Sequence, residues 1–549
     1  MTGASPSAAA TSGGPSPSLI DAPGLARSTL SMAVLTVVSR VTGFVRVLVV
    51  ASVLGVTFLG NTYQSSNSVP NILFELIAAG VLQAVLVPSL VPQLDRGDRA
   101  EAEHIAGSVM GLALAAMAAA TVLGALAAPW IAGALFSQSD PAVRDDQVRL
   151  GTIFLWIFLP QVLMYVVGMV ATSVLNARNR FALPVFAPAV NNVVVTIGYG
   201  LFWLLRGGDE PSLDLSALEI LALAGCTTLG VFAFCSLPYL AVVRSGFSLR
   251  PRFDHRHAEV RRIGRLGLWA ALFLAVTQVL LVVVLVLANK VEGGVVAYQV
   301  GFTYFLLPHA VIALPILTAL FPTLSRQAVA TDWSGYRESI ERGARAIAVF
   351  VVPAATALIA VAPVLSRSLL FGKGEAGADD IARVIVGFAL GLPAYGLFLF
   401  LSRVMYARGD TRTPALVNLG VAIVGSVAMV VAFSLVEDRF RVAALAAAHS
   451  AAYTGGAVVL YRLVRQGLPA SDRPRVARSI GVAVAAALPS FLVMWGLARS
   501  ISSDSRIAEL AMMGGALAVG GVVYLGAGAA LGGPRPGALV GMMRGGDRG

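Results

Sequence analysis

Long apolar runs, each closed by a short polar or Gly/Pro-containing stretch, recur along the whole chain. Hydrophobic and polar residues do not alternate within a run, as they would in the strands of a membrane barrel. A helix needs about 20 mostly apolar residues to cross the hydrocarbon core of a bilayer. The pattern predicts fourteen such helices, at about 29–55, 64–92, 105–136, 148–176, 183–205, 216–243, 262–289, 295–325, 340–366, 380–407, 413–435, 441–465, 476–498 and 506–532. Several exceed 25 residues and must tilt or project beyond the membrane. The fold class this implies is an all-α polytopic membrane protein.

Composition agrees. Of 549 residues, 57% are hydrophobic and 13% charged, against about 25% charged in an ordinary soluble domain. A soluble enzyme, a disordered chain and a domain with one anchor are all excluded. The formal charge of +11, from 40 basic and 29 acidic residues, is read through the positive-inside rule rather than as a sign of nucleic acid. With the N-terminus inside, 27 Lys and Arg fall on inside segments and 11 on outside loops, leaving Arg40 and Arg46 within the first span. Both termini are therefore expected in the cytoplasm. Residues 1–28, rich in Ser, Pro, Gly and Ala, lack the charged-then-apolar order of a signal peptide. They read as a disordered cytoplasmic tail, with a second tail at 534–549. Cys226 and Cys235, nine apart in one apolar run, read as packing residues. His255 and His257 read as solvated in a basic loop, and no ligand spacing points to a metal.

Three landmarks suggest a duplication. Ala177-Arg178 with Pro184 matches Ala407-Arg408 with Pro414 at an offset of 230. Val87-Pro88-Ser89-Leu90 matches Phe321-Pro322-Thr323-Leu324 at 234, and Pro70 matches Pro308 at 238. The expected organisation is an N-terminal six-helix lobe at 29–243, a basic cytoplasmic linker at 244–261, a C-terminal six-helix lobe at 262–466 and a helix pair at 467–533. Parallel repeats of this kind are a transporter plan with the substrate path between the lobes.

The polar residues inside the spans are the candidate chemistry. Arginine near a bilayer centre costs at least about 2.5 kcal/mol, so Arg40 and Arg46 should face a wet cavity or a partner. Asn67, Asn71 and Glu75 recur every fourth residue and share one helix face. Glu75 is the candidate partner for either arginine. Gln278, Gln299, Thr303 and Asn418 are a possible cavity set in the second lobe; with Asn192, Thr277, His309 and His449 they also suit interhelical hydrogen bonds. No paired carboxylates, nucleophile with a base, or Walker loop occurs, so neither an enzyme nor an ATP-driven pump is expected, and no cofactor is.

The segments Ser39-Arg40-Val41-Thr42-Gly43-Phe44-Val45-Arg46, Val69-Pro70-Asn71-Ile72-Leu73 and Val87-Pro88 resemble the start of the MurJ (MviN) family of lipid II flippases. Residues 175–188, Leu-Asn-Ala-Arg-Asn-Arg-Phe-Ala-Leu-Pro-Val-Phe-Ala-Pro, are similar to that family's span four–five junction and are the most specific match. Phe321-Pro322-Thr323-Leu324-Ser325 and Ala407-Arg408-Gly409-Asp410-Thr411-Arg412-Thr413-Pro414 also fit. The resemblance implies the multidrug/oligosaccharidyl-lipid/polysaccharide exporter fold. It also implies export of lipid II across a bacterial plasma membrane by alternating access, driven by membrane potential or an ion gradient, with a lipid groove on the last two helices. Lipid II, membrane lipids and cell-wall synthesis proteins are the partners it implies. Only Arg40 and Arg46 carry over from the family's cationic cavity. Asn61 stands where the family commonly has Asp, and Glu75 and Thr303 where it commonly has Arg. Some relatives bind sodium through acids on spans seven, eleven and twelve, and none lies inside those spans here. An exporter of another polyprenyl-linked glycan, a drug/cation antiporter and a non-transporting wall-synthesis scaffold remain the alternatives.

Overall fold

The computed structural model describes residues 22–75, 86–466, 468, 475–501, 503 and 505–533. Helices account for nearly all of them, and no strand occurs among the described residues. The first lobe holds α1 (Ala22–Val53), α2 (Phe58–Phe74), α3 (Val87–Asp95), α4 (Arg99–Leu126), α5 (Ala128–Leu135), α6 (Pro141–Phe158), α7 (Gln161–Ala177), α8 (Ala182–Arg206), α9 (Ala217–Ile220) and α10 (Cys226–Arg244). The second holds α11 (Ala258–Ala288), α12 (Gly294–Pro308), α13 (Leu314–Val329), α14 (Trp333–Leu369), α15 (Ala378–Ala389), α16 (Leu392–Ala407), α17 (Arg412–Leu435) and α18 (Arg441–Gln466). Two further helices follow, α19 (Arg475–Ser500) and α20 (Arg506–Ala530).

Eleven helical segments are long and apolar enough to cross a bilayer, and the pair 372–389 and 392–407, bent by 46°, makes a twelfth. The expected count of fourteen is thus not reached among the described residues. The second span runs into 76–85, outside them, and in the seventh only Ala275–Ala288 registers as an apolar helix, although α11 is continuous over 31 residues. The first helix starts at Ala22, within the segment 1–28 expected as a tail. The tail to residue 21 and the segment 534–549 lie outside the described residues.

The two lobes repeat their turns in backbone detail. Asp98 caps α4 by accepting from the Glu101 N–H (3.1 Å), and Asp332 caps α14 by accepting from the Gly335 N–H (2.9 Å). Before each cap stands a residue in the left-handed region, Gly97 (φ 75°) or Thr331 (φ 54°). The Asp98 N–H donates to the Gln93 carbonyl (2.9 Å) and the Asp332 N–H to the Gln327 carbonyl (3.0 Å). Every pair is 234 apart. At the 230 offset, Asn179 (φ 58°) and Gly409 (φ 77°) are left-handed. The next residues, Arg180 and Asp410, donate to the Leu175 and Met405 carbonyls (2.8 and 3.0 Å).

Packing fixes the helices into two bundles. In lobe 1, α8 lies between α1 and α10, and α7 packs on α10. In lobe 2, α18 is gripped by α15, α16 and α17, and α11 lies on α17. The cysteines fill glycine notches: a Cβ at Gly168 would stand 2.8 Å from the Cys235 Sγ, and one at Gly198 would stand 2.5 Å from the Cys226 Cβ. The helix pair docks outside lobe 2. There, α19 runs along α14, and the Tyr524 hydroxyl donates to the Val349 carbonyl (2.8 Å). Leu488, Leu492 and Val522 point away from the bundle and are exposed.

The linker is strapped to α4. A Cβ on Gly107 or Gly111 would run into the Arg250 and Arg252 carbonyl oxygens, so the two glycines let the linker backbone lie flush. The Arg252 N–H donates to the Gly107 carbonyl (2.9 Å), and the Ser248 N–H donates to Glu103 (2.9 Å). His257 is not merely solvated, as its sequence setting suggested. It pairs with Glu101 (3.0 Å), and its ring lies 5.3 Å from that of His104, which meets Asp254 at 2.9 Å.

Candidate functional site

The lobes are joined by hydrogen bonds gathered at one end of the bundle. Asn61, in the first turn of α2, is fully buried. Its amide donates to the Val291 carbonyl (2.8 Å), and its oxygen accepts from the Val295 N–H (2.9 Å) at the start of α12. Asn289, equally buried, donates to the Ser65 Oγ (2.9 Å) and the Leu135 carbonyl (3.3 Å), while its carbonyl accepts from the Ser139 hydroxyl (3.2 Å). Val56 of the α1–α2 turn fills the space beside Gly293 and Gly377. The Phe371 N–H donates to the Ser52 Oγ (3.2 Å), and Lys373 pairs with Glu210. This end is called the latch end below; the opposite end, which carries the 244–257 segment, is the linker end.

Arg40 lies just past the middle of α1 and Arg46 about two turns before its end. One side of α1 meets lobe 1: the Asn192 amide donates to the Thr42 Oγ (3.3 Å) and the Ser39 carbonyl (3.4 Å). The other meets lobe 2, where Phe44 packs edge-on against Tyr304, ring centres 5.5 Å apart. Arg46, one turn after Thr42, is half-buried and within electrostatic reach of the Tyr63, Tyr165 and Tyr199 hydroxyls. Arg40, one turn before Phe44, is exposed. The two arginines thus take different sides of α1. Neither has an ion-pair partner among the described residues, and the expected pairing with Glu75 is not formed.

The remaining candidates divide. Glu75 is half-exposed at the end of the described part of α2. The exposed Asn71 folds its amide back onto the Asn67 carbonyl (2.9 Å), and Asn67 is half-buried. Gln299 reaches across the seam to the Ser68 Oγ (3.4 Å), and Thr303 donates to the Gln299 carbonyl (2.8 Å). Arg40, the polar stripe of α2, Gln299 and Thr303 therefore border the seam between the lobes. Asn418 does not: it is buried in lobe 2 and donates to the Thr277 Oγ (3.0 Å), with Gln278 beside that contact on α11. His449 sits among Phe302, Phe305 and Phe388, and His309 packs edge-on against Tyr395, rather than in an interhelical hydrogen bond among the described residues. An apolar cavity of about 820 Å³, lined by Val386, Phe440, Ala447 and neighbours, opens on lobe 2 away from the arginines. The sequence reading missed Asn289, Ser65 and Ser139. The available signal was an amide at the junction between the first two helices of each lobe, Asn61 and Asn289.

A family model described as lipid II flippase MurJ matches residues 50–505. The chain belongs to the lipid II flippase MurJ family. Its MurJ relatives include a probable lipid II flippase MurJ of Rhizobium meliloti (strain 1021), 24% identical over 509 residues, which cover 91% of this chain and 92% of that one. A lipid II flippase MurJ of Burkholderia cenocepacia is 27% identical, covering 73% and 77%. Among solved structures, "Lipid II flippase MurJ, inward closed conformation" matches with a TM-score of 0.73 at 19% identity, covering 91% of this chain and 98% of that one. An inward-facing multidrug resistance MATE family transporter of the MOP superfamily matches at 0.61 and 12% identity, covering 82% and 98%. These likenesses fix the fold: a multi-pass helical membrane protein of the MurJ type. The family match takes in Asn61, Asn289 and the Arg178 junction, while Arg40 and Arg46 lie ahead of it.

Proposed function

We propose that this MurJ-family chain carries lipid II from the inner to the outer leaflet of a bacterial plasma membrane by alternating access, with both termini in the cytoplasm. The relatives bear that activity in their names. The observation that carries the reading here is the pairing of a latched end with two arginines on α1 that keep no carboxylate partner among the described residues. The 27 to 11 division of basic residues supports an orientation with the linker end inside. In this state the latch closes the outer side.

A diphosphate must cross about 30 Å of hydrocarbon, where a bare anion faces a large desolvation cost. Guanidinium groups replace its water with paired, charge-assisted bonds at any physiological pH. Arg46, half-buried near three tyrosine hydroxyls, sits deeper and takes the larger share; Arg40 meets the headgroup nearer the entrance. The polyprenyl tail stays in lipid against α19 and α20, since each CH₂ favours an apolar setting by about 0.8 kcal/mol. Membrane potential or an ion gradient drives the cycle.

The test is lipid II exposure at the outer surface of flippase-depleted cells complemented with variants at matched expression. Arg46→Ala is expected to abolish transport, Arg46→Lys to keep part of it because a point charge lacks the fork, and Arg40→Ala to be milder. Wild-type rates in the double alanine variant would overturn this reading in favour of a non-transporting scaffold.

A further inference from the structure

The repeat supplies an internal control for the span four–five junction. In lobe 2 both polar positions have structural work. Arg408 lies over the Trp333 ring at 5.2 Å, and the Asp410 carboxylate accepts from the Thr413 N–H (2.9 Å) and hydroxyl (2.7 Å) at the start of α17. Lobe 1 has the same backbone turn but a different charge. Arg180 stands where Asp410 stands, 230 residues earlier. The start of α8 consequently has no side-chain cap. Arg180 is exposed and forms no side-chain hydrogen bond or ion pair among the described residues. Exchanging a capping carboxylate for a free arginine forgoes the bond that Asp410 makes to the first turn of its helix.

Other positive charges crowd the same place. The Arg178 guanidinium donates to the Ser245 Oγ and that of Arg99 to the Gly246 carbonyl, so the two flank adjacent residues of the linker turn. Arg99 has Glu103 at 2.8 Å; Arg178 and Arg180 have no carboxylate within 4 Å among the described residues. Burial and the charges of Arg180 and Arg99 draw the Arg178 guanidinium below its ordinary range, the signature of a cluster that repels itself. The site lies at the ends of two membrane-crossing helices, α7 and α8, at the depth of lipid headgroups.

We propose that Arg99, Arg178 and Arg180 form a binding site for the phosphate of a lipid headgroup at the linker end of lobe 1. Three guanidiniums from α4 and the α7–α8 turn offer the forked donors that phosphate oxygens take in pairs. An anion there relieves the mutual repulsion. Two lipids present this chemistry: a polyprenyl diphosphate on its way to the seam, and an anionic phospholipid of the same leaflet. The inference uses the membrane placement of the chain and not the transport reading, so it stands or falls separately.

The test uses the purified full-length protein in non-ionic maltoside detergent micelles, with lipid occupancy followed by native mass spectrometry. The probes are undecaprenyl diphosphate and phosphatidylglycerol. Arg180→Asp gives lobe 1 the residue lobe 2 already carries on the same backbone, so folding is protected; a thermal midpoint checks it. Binding of at least one probe is expected to weaken about tenfold in Arg180→Asp and about a hundredfold in R178Q/R180D, one charge-assisted bond at a time, and to weaken with salt in the wild type. Loss confined to the diphosphate assigns the site to the polyprenyl lipid; equal loss for both assigns it to bilayer phospholipid. Wild-type affinity for both probes in a folded Arg180→Asp protein would overturn the proposal.

Discussion

Replacing Asn61 with alanine should unfasten the lobes without unfolding either. The side chain spends both ends across the seam, donating to the Val291 carbonyl at 2.8 Å and accepting from the Val295 N–H at 2.9 Å, and it is fully buried. Alanine strands the Val295 N–H, while the Val291 carbonyl keeps its second donor, the Gly294 N–H (2.9 Å). Because the stranded group sits in a turn at the bundle end, water reaches it once a gap opens, so the lower part of the range applies, about 1–1.5 kcal/mol, with about 0.5–1 kcal/mol more for the lost Val291 bond. The latched state then loses about 1.5–2.5 kcal/mol, a shift of about 10- to 70-fold in the ratio of closed to open latch. Spin labels on Gln138 and Glu292, exposed residues on opposite lobes beside the Ser139–Asn289 contact, read the change as a distance distribution. The wild type should give one short distance and Asn61→Ala an added longer population. Asn61→Asp should fall between them, since a carboxylate still accepts from Val295 but opposes the Val291 carbonyl. An unchanged distribution in Asn61→Ala would refute the reasoning, because the two bonds would then contribute nothing to closure.

Two further expectations concern the strap. Gly111→Val places side-chain atoms where the Arg252 carbonyl now lies and should lift the linker, speeding tryptic cleavage after Arg252 by about fivefold for about 1 kcal/mol of lost contact; an unchanged cleavage rate would contradict the flush packing. The Asp254 carboxyl is held below the ordinary carboxylate range by the His104 hydrogen bond, helped by the Arg256 and His257 N–H groups. A depressed folded value contributes stability above the unfolded range and loses it as pH falls through the folded value. Amide protection factors over 246–257, taken relative to the intrinsic exchange rate at each pH, should therefore be high near pH 6 and drop below about pH 4, and Asp254→Asn should remove that dependence.

Much of the architecture is legible in the chain because it is local. Runs of apolar residues mark helices, and turn chemistry marks their ends, down to Asp98 and Asp332 capping equivalent helices 234 apart. Cys226 and Cys235 read as packing because nothing nearby offered them chemistry, and glycine notches receive both. The seam is another matter. Asn61 and Val291 lie 230 residues apart, and no periodicity joins them; Asn61 registered only as a departure from a family habit. His257 looked solvated because its partners, Glu101 and the His104 ring, belong to α4, some 150 positions earlier. The spacing of the α2 stripe makes it legible as one helix face, but which lobe it meets depends on packing that a single helix does not encode. Glu75 shows the cost of that gap: its charge suggested an arginine, and the structure sets the two arginines on different sides of α1.

The chemistry chosen for the latch has a thermodynamic logic. A transporter cycling between two states needs a gap small enough for its cargo to reverse, since a ligand shifts an equilibrium only by its difference in affinity for the two states. Buried ion pairs across the seam would work against this, because breaking one strands a charge at about 3–5 kcal/mol. Neutral amides do not carry that penalty. Asn61 and Asn289 contribute about 1 kcal/mol per bond, and the cross-lobe ion pair Lys373–Glu210, with Glu210 82% exposed, contributes about 0–1 kcal/mol in water. The formal charges are kept where they need not be separated in the cycle: on α1, where a phosphate can screen them, and at the linker end, where Arg178 and Arg180 stand unpaired. Asparagine at position 61 fits the same rule, since a neutral amide donates to Val291 and accepts from Val295 at once, which a carboxylate does not.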